Sequence, residues 1–390
     1  MYKKRKIAEL LHKALESFPA VLITGSRQTG KTTLLRNELP DIPYITFDDP
    51  LERDYATTDP KGFLEQFSKG PVILDEIQYV PNLFSYLKIN IDESRHSYGK
   101  WIMTGSQQFQ VMRTVSDSLA GRIAVMELYP FSVLEEPVRD SLSMRLWKGG
   151  YPEPLLYQDD PYLWLSSYLT TYIERDIRQL KNISDLNLFQ HFMGICAANH
   201  GQELNYATIS RKCGMSQPVC KDWISVLSAS YILKLLPPFY NNFGKRLIKS
   251  PKMYFIDSAI VAFMTRHLNA EILLSGPMAG EFFEGFIVSE LFKYISFHKS
   301  LINIFFWRSH DGLEVDMILE KDGRLIPVEV KNTSTPSLKH SQPIERFRAF
   351  CKGIDCSDGI IVCNSKKEII LPNNVRVMNW QTFFRSLEKL

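Results

Sequence analysis

Apolar residues fall into two rhythms along this chain. Ala20–Thr24, Pro71–Leu74 and Trp101–Thr104 are short unbroken apolar runs and read as buried strands. Thr33–Asn37 reads as a helix. Around Val133–Asp140 the strand pattern stops, and Trp164–Leu180 carries Leu165, Tyr168, Leu169, Tyr172 and Ile173 at helical spacing. The pattern predicts an α/β domain with a parallel sheet over residues 1–138 and a helical region over 139–185.

Residues 186–265 change character. Ala207–Lys212 predicts a short helix, Cys213-Gly214-Met215 a turn with glycine where a helix must end, and Ser216 an N-cap with Pro218 in the first turn. The next helix is expected to bury Val219, Trp223, Ile224 and Leu227. Tyr231–Leu236 and Met253–Ile256 read as two strands joined by a basic turn at Asn241–Arg246. Helix, glycine turn, helix and two-stranded wing describe a winged helix. In 266–390, an amphipathic helix around Glu281–Leu291 has Phe283, Phe286, Ile287 and Leu291 on its core face. Strands at Ile302–Trp307, Glu314–Leu319 and Leu325–Val330 follow. The tail, Gly359–Cys363 and Asn374–Trp380, completes a small α/β domain.

Composition narrows the setting. Of 390 residues, 45% are hydrophobic and 23% charged, as in folded proteins that are not membrane-spanning. No apolar run approaches a membrane helix, and no apolar h-region follows the basic Met1–Lys6, so neither a membrane partner nor a secretory signal is expected. Six scattered cysteines without a C-x-x-C pair read as reduced thiols, which points to the cytoplasm. Net charge is +3, which makes no global case for nucleic acid. Locally, Leu204–Ser250 holds seven basic residues against one acid, Asp222. That stretch is the footprint of a phosphate partner or a solvated surface. On the first reading, Gln217 and Lys221 face a DNA major groove, with Arg211, Lys212, Lys245 and Arg246 on phosphates.

The first strand runs into Gly25-Ser26-Arg27-Gln28-Thr29-Gly30-Lys31-Thr32, with Thr33 opening the helix. This is G-x-x-x-x-G-K-[ST] between a strand and a helix, a phosphate-binding loop in its required context. Its amides wrap phosphates at the positive end of a helix, Lys31 reaches the β- and γ-phosphates, and Thr32 ligates Mg²⁺. The second apolar strand ends in Asp75-Glu76, with Asp75 the metal acid and Glu76 the general base. After the third strand Ser106 is the γ-phosphate sensor, with Gln107 the alternative. Arg122 is an arginine finger or a structural arginine. A finger acting in trans needs a homo-oligomer, at least a dimer and at most a ring such as a hexamer. The expected cofactors are ATP and Mg²⁺. Arg175 and Arg178, at the charged end of the long helix, pack against the ATPase or contact nucleotide or DNA.

Near the C-terminus Asp316 lies on one strand and Glu329-Val-Lys331 ends the next, with Glu329 and Lys331 on one face. Asp316 and Glu329 with Lys331 can hold Mg²⁺ and a water for phosphodiester attack.

Gly25–Thr32, Leu74-Asp75-Glu76, Thr104-Gly105-Ser106, Leu119–Arg122, Leu128–Ser132, Gly149–Pro154 and Thr171–Asp176 together resemble the AAA-type ATPases that precede a DUF4143 region. Trp307–Lys331 resembles the D…E-x-K pattern of restriction-endonuclease-like folds. That resemblance implies Glu284 as a further metal-site acid and places Arg308 on a phosphate. The expected architecture is an AAA-type P-loop ATPase, a helical and winged-helix middle, and a restriction-endonuclease-like α/β end. The expected function is ATP-driven handling of DNA, branched or broken structures included. A DNA motor with an inactive nuclease fold, and a regulatory switch ATPase acting on a protein, are the alternatives.

Overall fold

Val21, Leu22 and Ile23 are wholly buried because their strand has a neighbour on each side and an apolar layer on each face. The computed structural model describes residues 2–106, 119–172, 185–240 and 250–389. Its first sheet contains β1 Ala20–Thr24, β2 Tyr44–Thr46, β3 Val72–Asp75, β4 Trp101–Gly105 and β5 Ile123–Glu127 in the order β2-β3-β4-β1-β5. Every pairing is parallel. Leu22, Leu74 and Met103 meet a layer containing Phe47, Phe63 and Phe84, while Val21, Ile23 and Ile102 meet Ile7, Leu11 and Leu34. Burial on both faces is why these strands read as continuous apolar runs. The register sets Thr24 beside Gly105 and Glu127, so the carboxyl ends of β1, β4 and β5 finish level. The crevice at such carboxyl ends is where open α/β sheets bind ligands.

The middle of the chain forms helices Leu186–Ala198, Tyr206–Cys213 and Gln217–Ala229, then an antiparallel pair, β6 Leu233–Leu236 and β7 Lys252–Phe255. Asn205 caps the second helix by accepting from the Thr208 amide, Gly214 ends it at φ +68°, and Ser216 caps the third. One detail differs from expectation. Val219 is exposed and Cys220 is wholly buried, because Cys220, Trp223, Ile224 and Leu227 form the i, i+3, i+4, i+7 stripe that faces the core. Gln107, Arg175, Arg178, Lys245, Arg246 and the expected Asn241–Arg246 turn lie outside the described residues.

The last sheet is mixed, in the order β12-β13-β11-β10-β9-β8. Its strands are β8 Asn303–Arg308, β9 Glu314–Lys321, β10 Arg324–Lys331, β11 Ile360–Cys363, β12 Ile369–Ile370 and β13 Arg376–Asn379. β9 runs antiparallel to β8 and to β10, and β11 runs parallel to β10 and β13. Asp322-Gly323, both at positive φ, closes the β9–β10 hairpin.

Helix Ala279–His298 is not amphipathic as expected. Twelve of its residues are buried, Glu290 and Lys293 among them, because it runs between β10, β7 and β5. One apolar cluster extends from Val133 through Trp223, Phe255 and Ile287 to Leu387, so the middle and last parts share a core. Among the described residues no helix is long and apolar enough to cross a membrane.

Candidate nucleotide site and a second carboxylate cluster

The loop Gly25–Gly30 leaves β1 and enters helix Lys31–Glu38. Its two glycines serve different needs. A Cβ on Gly25 would fall 2.1 Å from the Leu128 carbonyl oxygen, whereas Gly30 is required by its φ of +90°. Gln28 adopts φ +63° without being glycine. Thr29 Oγ1 donates to the Ser26 carbonyl (2.9 Å), and Lys31 Nζ donates to the carbonyls of Gly25 (3.0 Å) and Ser26 (2.9 Å). The lysine is thus held across the mouth of its own loop, next to the helix N-terminus where an anion is favoured. Arg27 and Gln28, with Trp164, Ser167, Tyr168, Thr171 and Tyr172, line a cleft of about 290 Å³. Thr33 is exposed behind the loop.

Thr32 Oγ1 donates to both oxygens of Asp75, at 3.2 and 3.1 Å. Thr104 Oγ1 also donates to Asp75, and Tyr44 donates to it at 2.6 Å. The Tyr44 phenol is pushed up by burial and then by the Asp75 carboxylate, which keeps it a donor. Two hard oxygen ligands, a hydroxyl and a carboxylate, therefore converge beside the loop, a donor set suited to Mg²⁺ that keeps its remaining positions for phosphate and water. Glu76 follows at φ +56°, a left-handed conformation that a non-glycine residue adopts at a cost of roughly 1–2 kcal/mol. Its amide donates to Thr104 Oγ1 (3.2 Å). Its carboxylate accepts from Ser106 Oγ (3.2 Å) and from Gln78. The structure thus gathers Lys31, Thr32, Asp75, Glu76 and Ser106 at the ends of β1, β3 and β4.

Arg122 lies apart from this cluster, in a two-pronged exposed pair with Asp92 (2.6 and 3.0 Å). The middle of the chain reaches the loop through Tyr151, whose hydroxyl donates to Ser26 Oγ (3.2 Å), and through Tyr231, which bonds Thr24 Oγ1. Sequence reasoning gave no role to Tyr151 or Thr104, although both lie in stretches that carry the family resemblance, and missed Tyr44 and Tyr231 because nothing local marks them.

The carboxylates of the last domain are arranged differently. Asp316 accepts from the Val330 amide (2.7 Å) and pairs with Lys331 (3.5 Å), and Lys331 also pairs with Glu329 (2.5 Å). Glu284 accepts from Lys252 (2.9 Å) and Tyr254 (2.5 Å), and Lys252 also pairs with Glu314. Burial, then Asp316, pushes the Glu329 carboxyl well above its ordinary range, and its Oε2 is buried with no hydrogen-bond partner. Burial, then Glu284, raises Asp316. Burial opposes the Lys252 charge, but Glu284, Asp316 and Glu314 outweigh it. Among the described residues no three His, Cys, Asp or Glu side chains are gathered so as to hold a metal ion. Of the acids expected at a metal, Asp316 and Glu329 lie against Lys331, and Glu284 lies against Lys252. Two lysines supply the positive charge, and Lys252 comes from β7 in the middle of the chain. Arg308, expected on a phosphate, pairs with Glu203 and, at 3.6 Å, with Glu314.

On the helix pair, Arg211, Lys212, Gln217 and Lys221 are all exposed, opposite the buried Cys220–Leu227 stripe.

Family models match three consecutive stretches: an AAA domain over residues 17–136, a domain of unknown function (DUF8612) over 139–271, and another (DUF4143) over 279–383. Solved structures similar to this chain include the Walker-type ATPase PABY2304 of Pyrococcus abyssi, 15% identical, covering 68% of this chain and 96% of that one at a TM-score of 0.46. RuvB of Thermotoga maritima is 15% identical, covering 60% and 90% at a TM-score of 0.30. The uncharacterized proteins Rv2008c of Mycobacterium tuberculosis and Mb2031c of Mycobacterium bovis are each 31% identical over 346 residues, 87% of this chain and 76% of theirs. With that relation the chain belongs to the family of these mycobacterial proteins, and its phosphate loop lies inside the stretch that matches the AAA domain.

Proposed function

We propose that this chain is an AAA-type P-loop ATPase that binds Mg²⁺-ATP at Gly25–Thr32 and uses its turnover to handle DNA through the Tyr206–Ala229 helix pair. The convergence of Thr32, Asp75, Glu76 and Ser106 beside the loop carries the nucleotide part. Thr32 and Asp75 would hold Mg²⁺, which supplies charge neutralisation on the phosphate oxygens. Lys31 leaves its own loop carbonyls for the β- and γ-phosphates. Glu76, oriented by Ser106 and Gln78, accepts the proton of the attacking water. Ser106, which donates to the same carboxylate, would report the γ-phosphate. Arg122 serves a neighbouring copy only if it leaves Asp92, so its role as a finger requires a homo-oligomer.

The DNA part rests on an exposed face of Arg211, Lys212, Gln217 and Lys221 on a capped helix pair with a two-stranded wing. The restriction-endonuclease-like reading of the last domain is supported by Asp316, Glu329 and Lys331 on adjacent strands. The Lys252 contacts favour its inactive form, a fold that holds DNA without cutting it.

The test is the ATPase rate with and without duplex, single-stranded and four-way-junction DNA, with Lys31→Ala as blank. Stimulation of several-fold by one DNA supports the reading and names its substrate. Turnover above the blank that no DNA alters removes the DNA role and favours a switch acting on a protein.

A further inference from the structure

Arg5 precedes the first helix and belongs to no recognised motif, yet it is 3% exposed and grips the phosphate loop from behind. Its Nη1 donates to the Thr29 carbonyl (2.8 Å) and its Nη2 to the Tyr129 carbonyl (2.6 Å). Its Nε and Nη2 donate to Glu135 (2.9 and 3.2 Å), and the guanidinium lies 4.3 Å from the Phe131 ring centre. Glu135 is itself fixed by the amides of Lys6 (2.9 Å) and Ser132 (3.0 Å).

The Thr29–Gly30 peptide is planar and trans, so its carbonyl and its amide point in opposite directions. Holding the Thr29 carbonyl outward turns the Gly30 N–H toward the inside of the loop. That peptide is freer to rotate than one followed by a residue with a side chain, because the residue after it is a glycine at positive φ. Rotated, it would present a carbonyl oxygen to the phosphates. We infer that Arg5 is a positioning residue that locks the Thr29–Gly30 peptide with its amide facing the phosphate cradle. This rests on the nucleotide reading above. Loop amides cradle the inner phosphates, so the lock acts on ADP and ATP alike.

The experiment compares ADP and ATP affinity by calorimetry, and melting temperature, in the full chain. Arg5→Met, Arg5→Lys and Glu135→Gln are measured beside wild type, with Lys31→Ala as blank. Arg5→Met is expected to weaken both nucleotides by about tenfold or more, the size of a lost hydrogen bond from a charged donor. Arg5→Lys keeps the charge but not the fork that serves two carbonyls and a carboxylate, and is expected to weaken both several-fold while remaining folded. Glu135→Gln, which keeps Arg5 on Thr29, is expected to lower melting temperature with nucleotide affinity within about twofold of wild type. If the folded Arg5→Lys and Arg5→Met proteins bind ADP like wild type, Arg5 is merely structural and the inference is overturned. If wild type binds ADP no better than Lys31→Ala, the nucleotide reading and the inference fall together.

Discussion

His200 Nε2 occupies the place where a side chain on Gly285 would begin: a Cβ there would lie 1.8 Å from it. The pair joins helix Ala279–His298 to the middle of the chain. A mid-helix glycine costs about 1 kcal/mol relative to alanine, so Gly285→Ala ought to stabilise an isolated helix. Here it is expected to destabilise the protein by ~1–3 kcal/mol through overpacking. Urea unfolding checks this, and a double variant with His200→Ala should recover part of the loss. A Gly285→Ala protein as stable as wild type would show that the contact yields easily.

The same histidine makes stability depend on pH. Burial lowers its pKa to about 3, and its Nδ1 accepts from the Phe255 amide (3.1 Å). The native state therefore keeps it neutral where the unfolded chain, with a pKa of about 6.5, takes up a proton. The contribution is fully present above pH 6.5 and is lost progressively as pH falls toward 3. His200→Asn retains an acceptor and removes the titration. Between pH 7 and 5 its unfolding free energy should fall less steeply than that of wild type, by about one proton.

Lys252→Met should be among the more damaging single substitutions, because it leaves Glu284 and Glu314 without the ammonium between them. Breaking a buried pair from one side costs roughly 3–5 kcal/mol. Adding Glu284→Gln should restore part of that stability. Equal melting temperatures for Lys252→Met and wild type would contradict the lysine's place as the cluster's counter-ion.

Tyr44→Phe removes one of the donors that orient Asp75. ATP turnover is expected to need about three- to tenfold more Mg²⁺ for half-saturation, as for one lost hydrogen bond, with little change in melting temperature. An unchanged Mg²⁺ dependence would place Tyr44 outside the metal chemistry.

The parallel sheet, the loop and the helix pair were legible because their signals are local: unbroken apolar runs, glycine at the turn, Ser216 followed by Pro218. Arg5, Tyr44 and Lys252 were not, since their partners lie 24 to 130 residues away and no spacing announces them. Asp322-Gly323, by contrast, is a hairpin signal carried by two adjacent residues. The lysines around the last domain's carboxylates were hidden for a related reason. Asp316 and Glu329 are adjacent as the strand pattern required, but the cations that meet these carboxylates were a matter of tertiary packing, and one of them came from another part of the chain.

The apolar cluster that unites Trp223 and Phe255 with Ile287 and Phe384 has an evolutionary corollary. A chain cut between the middle and last parts would bare large aromatic surfaces on both fragments, an invitation to aggregate. The two parts therefore constitute one heritable module. Recombination could exchange it whole beneath a different ATPase, but could not shuffle its halves independently.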